Sequence, residues 1–270
     1  MKPTFLLRST ALVALIALQL ACSSAPTPVE RTRKSEQTVK APTAQEHFLQ
    51  GNAFLDQQQW AEAIDAYTKA VALEPKRWDI HMNRAIAHSA NIEFELALAS
   101  IEAALDNGGQ NEREVYFNLG NIYQNRGLYG QAIDAYRAGM AIDGKLDVDS
   151  MLNIGAAYAI LNELDLARQT LEKVQQLAPD DPRAPHGLAL VLQLEEKYDE
   201  ALLAYERVEA MAPNFSLSYF NRGYVLTQLR RYREAIAAYE RYIALDPEGP
   251  YVKRARRSIE TAQKALESRS

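Results

Sequence analysis

An interval of 34 or 35 residues governs this chain: six times over it sets an alanine at the same point, as Ala63, Ala97, Ala132, Ala167, Ala201 and Ala235. Three residues before each alanine stands a large apolar side chain (Trp60, Phe94, Tyr129, Leu164, Tyr198, Tyr232). Four residues after it stands another (Tyr67, Ile101, Tyr136, Leu171, Tyr205, Tyr239). Self-similarity at this period marks stacked supersecondary units, none of which can bury its apolar face alone. Such arrays present an extended concave surface, so the period favours binding over chemistry.

Within a unit the apolar residues recur at helical spacing. In the third, Tyr116, Leu119, Gly120 and Tyr123 share one helix, Gly127 interrupts it, and Ala132 and Tyr136 lie on the next. Each unit reads helix, turn, helix, and the fold class is all-α. The small alanine lets the two helices approach closely while the flanking aromatics fill the space between units. Most aromatics are therefore expected in the core.

An aromatic, then Leu-Gly, then Tyr, followed by Ala and Tyr in the second helix, resembles the tetratricopeptide repeat. Its closing proline stands here as Pro75, Pro179, Pro213 and Pro247, with Gly109 and Gly144 in units two and three. The resemblance implies a right-handed solenoid of six repeats, over residues 44–77, 78–111, 113–146, 148–181, 182–215 and 216–249. Residues 250–270 read as one more helix. Val252, Ala255, Ile259, Ala262 and Leu266 form its apolar stripe, backed by Lys253, Arg254, Arg256 and Arg257. Terminal units need a polar outer face, so this segment is expected to cap the array.

Ahead of the array, residues 1–21 have the layout of a secretory signal: Lys2 and Arg8 first, an apolar run from Ala11 to Leu18, then small Ala21. The run is shorter than the ~20 apolar residues a spanning helix requires. Cys22 follows directly, which resembles the lipobox of bacterial lipoproteins, although Gln19 stands where that pattern carries an aliphatic residue. The resemblance implies cleavage before Cys22 and acylation of its thiol and amino terminus. Two or three acyl chains exceed what stable anchoring requires. Ser23 after the cysteine resembles an outer-membrane address. Residues 23–43 are rich in Ser, Thr and Pro with few large apolar groups, and read as a tether reaching on the order of 25 Å.

Net charge excludes one partner class. The chain carries −5, and −7 once residues 1–21 with Lys2 and Arg8 are set aside. Nonspecific nucleic-acid binding needs clustered positive charge, which this balance does not offer. A single cysteine rules out an intrachain disulfide or a thiolate metal cage. His81 and His88, seven apart on one helix, lack the closer spacing and third ligand of a metal site. No nucleophile elbow, phosphate loop or dinucleotide fingerprint occurs. No catalytic residue, metal or cofactor can be assigned, and the chain reads as a non-enzyme.

In the resembled family the first helix of each repeat lines the concave groove. One position there is asparagine in four copies: Asn83, Asn118, Asn153 and Asn221. Asparagine is a poor mid-helix residue, and its amide can donate to and accept from an extended backbone at once. Asn121 and Asn125 extend the polar stripe, and Phe117, Phe220 and Tyr224 would offer apolar contacts beside it. Two roles are open to this row, ligand contact or a packing preference of the repeat itself. Four residues earlier stand Asp79, Glu114 and Asp149, so a neutral or basic ligand segment suits the groove better than an acidic tail.

One signal, one lipid cysteine, one tether and six repeats resemble the tetratricopeptide pilotins of type IV pili. That implies a periplasm-facing scaffold on the outer membrane that binds segments of envelope proteins, takes no small-molecule substrate and supports secretin assembly. Lipoprotein adaptors of peptidoglycan synthases or hydrolases have a similar layout, and that alternative stays open.

Overall fold

The computed structural model describes residues 41–268. The signal-like segment, Cys22 and the tether as far as residue 40 lie outside the described residues, as do residues 269–270. Thirteen α-helices and no strand occur among the described residues. The first helices of the six repeats are α1 (Ala44–Asp56), α3 (Trp78–Ala90), α5 (Arg113–Arg126), α7 (Val148–Ile160), α9 (Arg183–Leu194) and α11 (Ser216–Gln228). Their second helices are α2 (Trp60–Leu73), α4 (Phe94–Asp106), α6 (Tyr129–Asp143), α8 (Leu164–Leu177), α10 (Tyr198–Met211) and α12 (Tyr232–Leu245). Helix α13 (Val252–Glu267) closes the array, and one 3-10 turn, Gly109–Asn111, joins repeats two and three.

Residue chemistry explains where these helices begin and end. Thr43 opens α1 with a reciprocal cap: its Oγ1 accepts from Glu46 N at 3.2 Å and its own N donates to Glu46 Oε2 at 2.7 Å. Asp147 opens α7 by accepting from Ser150 N at 2.7 Å. Every turn inside a repeat uses one residue in the left-handed region, at Gln58, Ile92, Gly127, Asn162, Glu196 and Arg230. The next residue then donates back across the turn, as Gln59 N to Phe54 O at 2.9 Å and Leu128 N to Tyr123 O at 2.8 Å. These bonds satisfy carbonyls that the helix end would otherwise orphan. The geometry belongs to the repeat, yet only the third copy spends a glycine on it.

The recurring small and large residues form the core. All six register alanines are fully buried, as are Tyr67, Tyr136 and Tyr205. Leu-Gly has a packing cause. A Cβ added to Gly51 would lie 2.5 Å from Tyr67 Cε1, and Gly120, Gly155 and Gly223 meet Tyr136, Leu171 and Tyr239 in the same way. The glycine lets the ring of the second helix rest on the backbone of the first. Each repeat then packs on the next, second helix to following first helix. First helices also touch their counterparts one repeat on, α1 with α3, α3 with α5, α7 with α9 and α9 with α11, whereas α5 and α7 engage more thinly.

At the carboxyl end, α13 lies along α12 with Val252, Ala255 and Ala262 buried and its five basic residues, Lys253, Arg254, Arg256, Arg257 and Lys264, exposed. Tyr242 Oη accepts from Tyr251 N at 3.0 Å, and the Tyr251 ring stacks on Phe220 with centroids 4.8 Å apart.

Candidate functional site

The first helices face a shared hollow. A cavity of 630 Å³ is walled by α3, α5, α7 and α9, with a contribution from Leu171 of α8. Its size falls within the range of ordinary ligand sites. Of the residues singled out from sequence, Phe117, Asn118, Asn121, Asn125 and Asn153 line it. Asp149, one of the acids expected at the groove, lines it as well, and so do Ile86, His186 and Leu190, which the sequence did not place there. The positions three residues after the asparagine row would have found two of them, since Ile86 and Leu190 are copies of Asn121.

The asparagine row divides by hydrogen bonding. Asn83 Nδ2 donates to Asn52 Oδ1 at 2.9 Å, and Asn52 Oδ1 also accepts from Tyr67 Oη at 2.7 Å. Two repeats on the device recurs: Asn121 Oδ1 accepts from Tyr136 Oη at 2.7 Å and from Asn153 Nδ2 at 3.4 Å. Asn221 Nδ2 donates to His186 Nε2 at 3.0 Å. Three of the four asparagines thus reach back to the preceding repeat, which is a structural task. Asn118 differs because the residue it would reach is Ile86, which offers no acceptor. Its amide donates only within its own helix, to Glu114 O at 2.8 Å.

The three aromatic candidates also separate. Phe117 borders the cavity, tilted against Tyr136 with centroids 5.7 Å apart. Phe220 is a correction to the sequence expectation. It is only 6% exposed, enclosed by Tyr239, Tyr242 and Tyr251, and belongs to the core that α13 completes. Tyr224 is half-buried against the same cluster, and neither it, Asn83 nor Asn221 lines the cavity.

Charge at the groove edge is partly cancelled within the protein. Asp79 Oδ2 sits 2.6 Å from Arg77 Nη2, and Asp149 Oδ1 sits 2.7 Å from Arg183 Nη1. Arg183 occupies the position of the acids in its own repeat and is also held by Asp181, whose carboxyl it pulls below the usual range. Glu114 pairs with no basic side chain among the described residues.

His186 is the residue that reading by type left unexplained. It stands where three other repeats carry Phe48, Phe117 and Phe220 and plays the same packing part, 5.6 Å from Tyr205 and 5.0 Å from Phe215. Burial lowers its pKa from 6.5 to about 4. With the Asn221 amide donating, Nε2 accepts, and the ring is neutral with its proton on Nδ1. Burial likewise raises the phenols of Tyr67, Tyr136 and Tyr205, so all three stay protonated donors. No group of three or more His, Cys, Asp or Glu side chains among the described residues could hold a metal ion.

Comparison with known proteins agrees with this geometry. Tetratricopeptide repeat profiles match residues 48–112, 88–145 and 117–182, and a further one matches 188–260. The chain belongs to the tetratricopeptide repeat family. It is 27% identical over 154 residues to an Hsp70-Hsp90 organising protein of Plasmodium falciparum, covering 55% of this chain and 26% of that one. The chain spans well under half the length of the curated relatives it matches. Among solved structures, a tetratricopeptide repeat protein from Parabacteroides merdae has a TM-score of 0.65 at 17% identity, over 83% of this chain and 92% of that one. The pilF protein of Pseudomonas aeruginosa has a TM-score of 0.59 at 17% identity, over 78% and 95%. At these identities the likeness is one of fold.

Proposed function

We propose that the protein is a membrane-anchored, non-catalytic scaffold that holds segments of envelope proteins in its concave groove during assembly of a larger complex. The observation that carries the binding role is the 630 Å³ cavity shared by four first helices, with Asn118 and Asn125 on its α5 wall and Leu190 on its α9 wall. Convergent polar groups on a mostly apolar, preformed wall are what ligand recognition requires. The anchor rests on Cys22 and the apolar run before it.

Type IV pilus and secretin assembly is the process we assign first. Its support is the layout of signal, lipid cysteine, tether and six repeats, together with a fold in common with pilF over 78% of this chain. Deletion of the gene should abolish assembled secretin and twitching motility, with both restored by the wild-type chain and not by Cys22→Ser. Normal secretin with altered wall cross-linking in the deletion strain would transfer the protein to cell-wall synthesis instead.

A further inference from the structure

The groove is not uniform along its length. At α5, Glu114 lacks a basic partner among the described residues and Asn118, one turn on, is not bridged to a neighbouring repeat. A second cavity of 220 Å³ opens beside them, bordered by Phe117, Asp147 and Ser150, where α5 and α7 engage thinly. One and two repeats further, the same face turns apolar. Ala156 and Leu190 line the main cavity, and one turn beyond them on the same helices Ile160 and Leu194 are 51% and 44% exposed. These aliphatic groups extend the apolar wall of the main cavity beyond its rim on α7 and α9.

We propose that the groove takes a segment of another polypeptide that carries a lysine or arginine against Glu114 and aliphatic side chains against Leu190, Ile160 and Leu194. This rests on the scaffold reading and adds the chemistry of the partner. A cation entering a partly enclosed groove gives up water and needs an acid not already committed elsewhere. Asp79 and Asp149 are committed to Arg77 and Arg183; Glu114 is not. The spacing is also defined. Packed helices lie ~8–10 Å apart, so α5 to α9 spans on the order of 20 Å across the groove. Leu194 also lies eleven positions beyond Arg183, the counterpart of Glu114 in its repeat, about 16 Å of rise, so the basic and last aliphatic positions of the ligand are about seven to eight residues apart.

The test is selection of a randomised dodecapeptide display library on the full-length protein in detergent, followed by titration of the recovered peptides. Peptides with a basic residue about seven to eight positions from an aliphatic one should be enriched. Glu114→Lys should weaken them about tenfold and turn the selection toward acidic residues at that position. Ile160→Ser with Leu194→Ser should remove the aliphatic preference and leave the basic one. Acidic consensus peptides, or a basic preference unchanged in Glu114→Lys, overturn the proposal. A library yielding no binders, while the protein still retains envelope proteins on affinity purification, also overturns it and leaves the scaffold reading intact. Failure of both removes the scaffold reading as well.

Discussion

Tyr136 and Asn121 are joined hydroxyl to amide at 2.7 Å, and the same bond links Tyr67 and Asn52 two repeats earlier, again at 2.7 Å. In each case the asparagine of the following repeat, Asn153 or Asn83, completes a three-membered bridge across the repeat boundary. Gln124 Oε1 also lies 3.2 Å from Tyr136 Oη, and each bridging bond contributes ~1 kcal/mol, so these amides have a structural task whether or not a ligand is bound. Asn118 has no such duty.

That difference makes Asn118→Ala and Asn153→Ala unequal. Alanine gains roughly 0.6 kcal/mol of helix propensity at either site. At Asn153 the lost bridge removes ~1 kcal/mol, leaving a small net destabilisation. At Asn118 no bridge is lost, and the variant should be as stable as wild type or slightly more so. Urea denaturation should separate the two by about 1 kcal/mol, and equal stabilities would contradict the bridging role of Asn153.

Ile92 carries the clearest conformational strain. It is β-branched, 76% exposed and held at φ 66°. A left-handed conformation costs an L-residue ~1–2 kcal/mol, and little packing is lost at so open a site. Ile92→Gly should stabilise the protein by ~0.5–1 kcal/mol after the entropy glycine gives back in the unfolded chain. A lower denaturation midpoint in this variant would refute the account of the turn.

Two glycine-to-alanine changes should have opposite signs. Gly130, in the first turn of α6, has open space around its missing Cβ, so Gly130→Ala should gain ~0.5–1 kcal/mol. At Gly120 the new methyl would collide with the Tyr136 ring, and overpacking of ~1–3 kcal/mol outweighs the same propensity gain. Thermal melts of both variants under one condition check the contrast.

Acid should loosen the junction of repeats five and six. His186 titrates near 4 when folded and near 6.5 when unfolded, so the unfolded chain binds the proton first as pH falls. Its stabilising share is complete above pH 6.5 and declines toward pH 4, by roughly 3 kcal/mol in total. His186→Phe, which keeps an aromatic in the slot, should be less pH-dependent than wild type by about 2 kcal/mol between pH 7.5 and 5. Parallel pH profiles for the two proteins would show that the ring is not held neutral.

The repeat boundaries, the alternation of helices and the buried alanines were legible because they follow from one period and from side-chain size. The site was legible only in outline. Whether an asparagine is free depends on the residue in the preceding repeat: Asn52, Asn121 and His186 accept a bond and Ile86 does not. That is a contact across 31 to 35 residues, which position within a repeat does not disclose. Phe220 was misplaced for a similar reason. Its copies Phe48 and Phe117 sit in ordinary repeats, while it alone meets Tyr251 at the entrance to α13. The acids were read by type, and their value changed once Arg77 and Arg183 were seen beside them.

Helix α13 has a consequence for how long this object can become. Every repeat offers its successor the same apolar edge, so nothing in the unit itself says when to stop. By answering the last edge and leaving Lys253, Arg256 and Arg257 in water, with Arg254 laid over the Phe220 ring, α13 obliges any newcomer to strip three cations of their hydration before it could stack. Charge on α13 thus guards the outer face of the described array against end-to-end association.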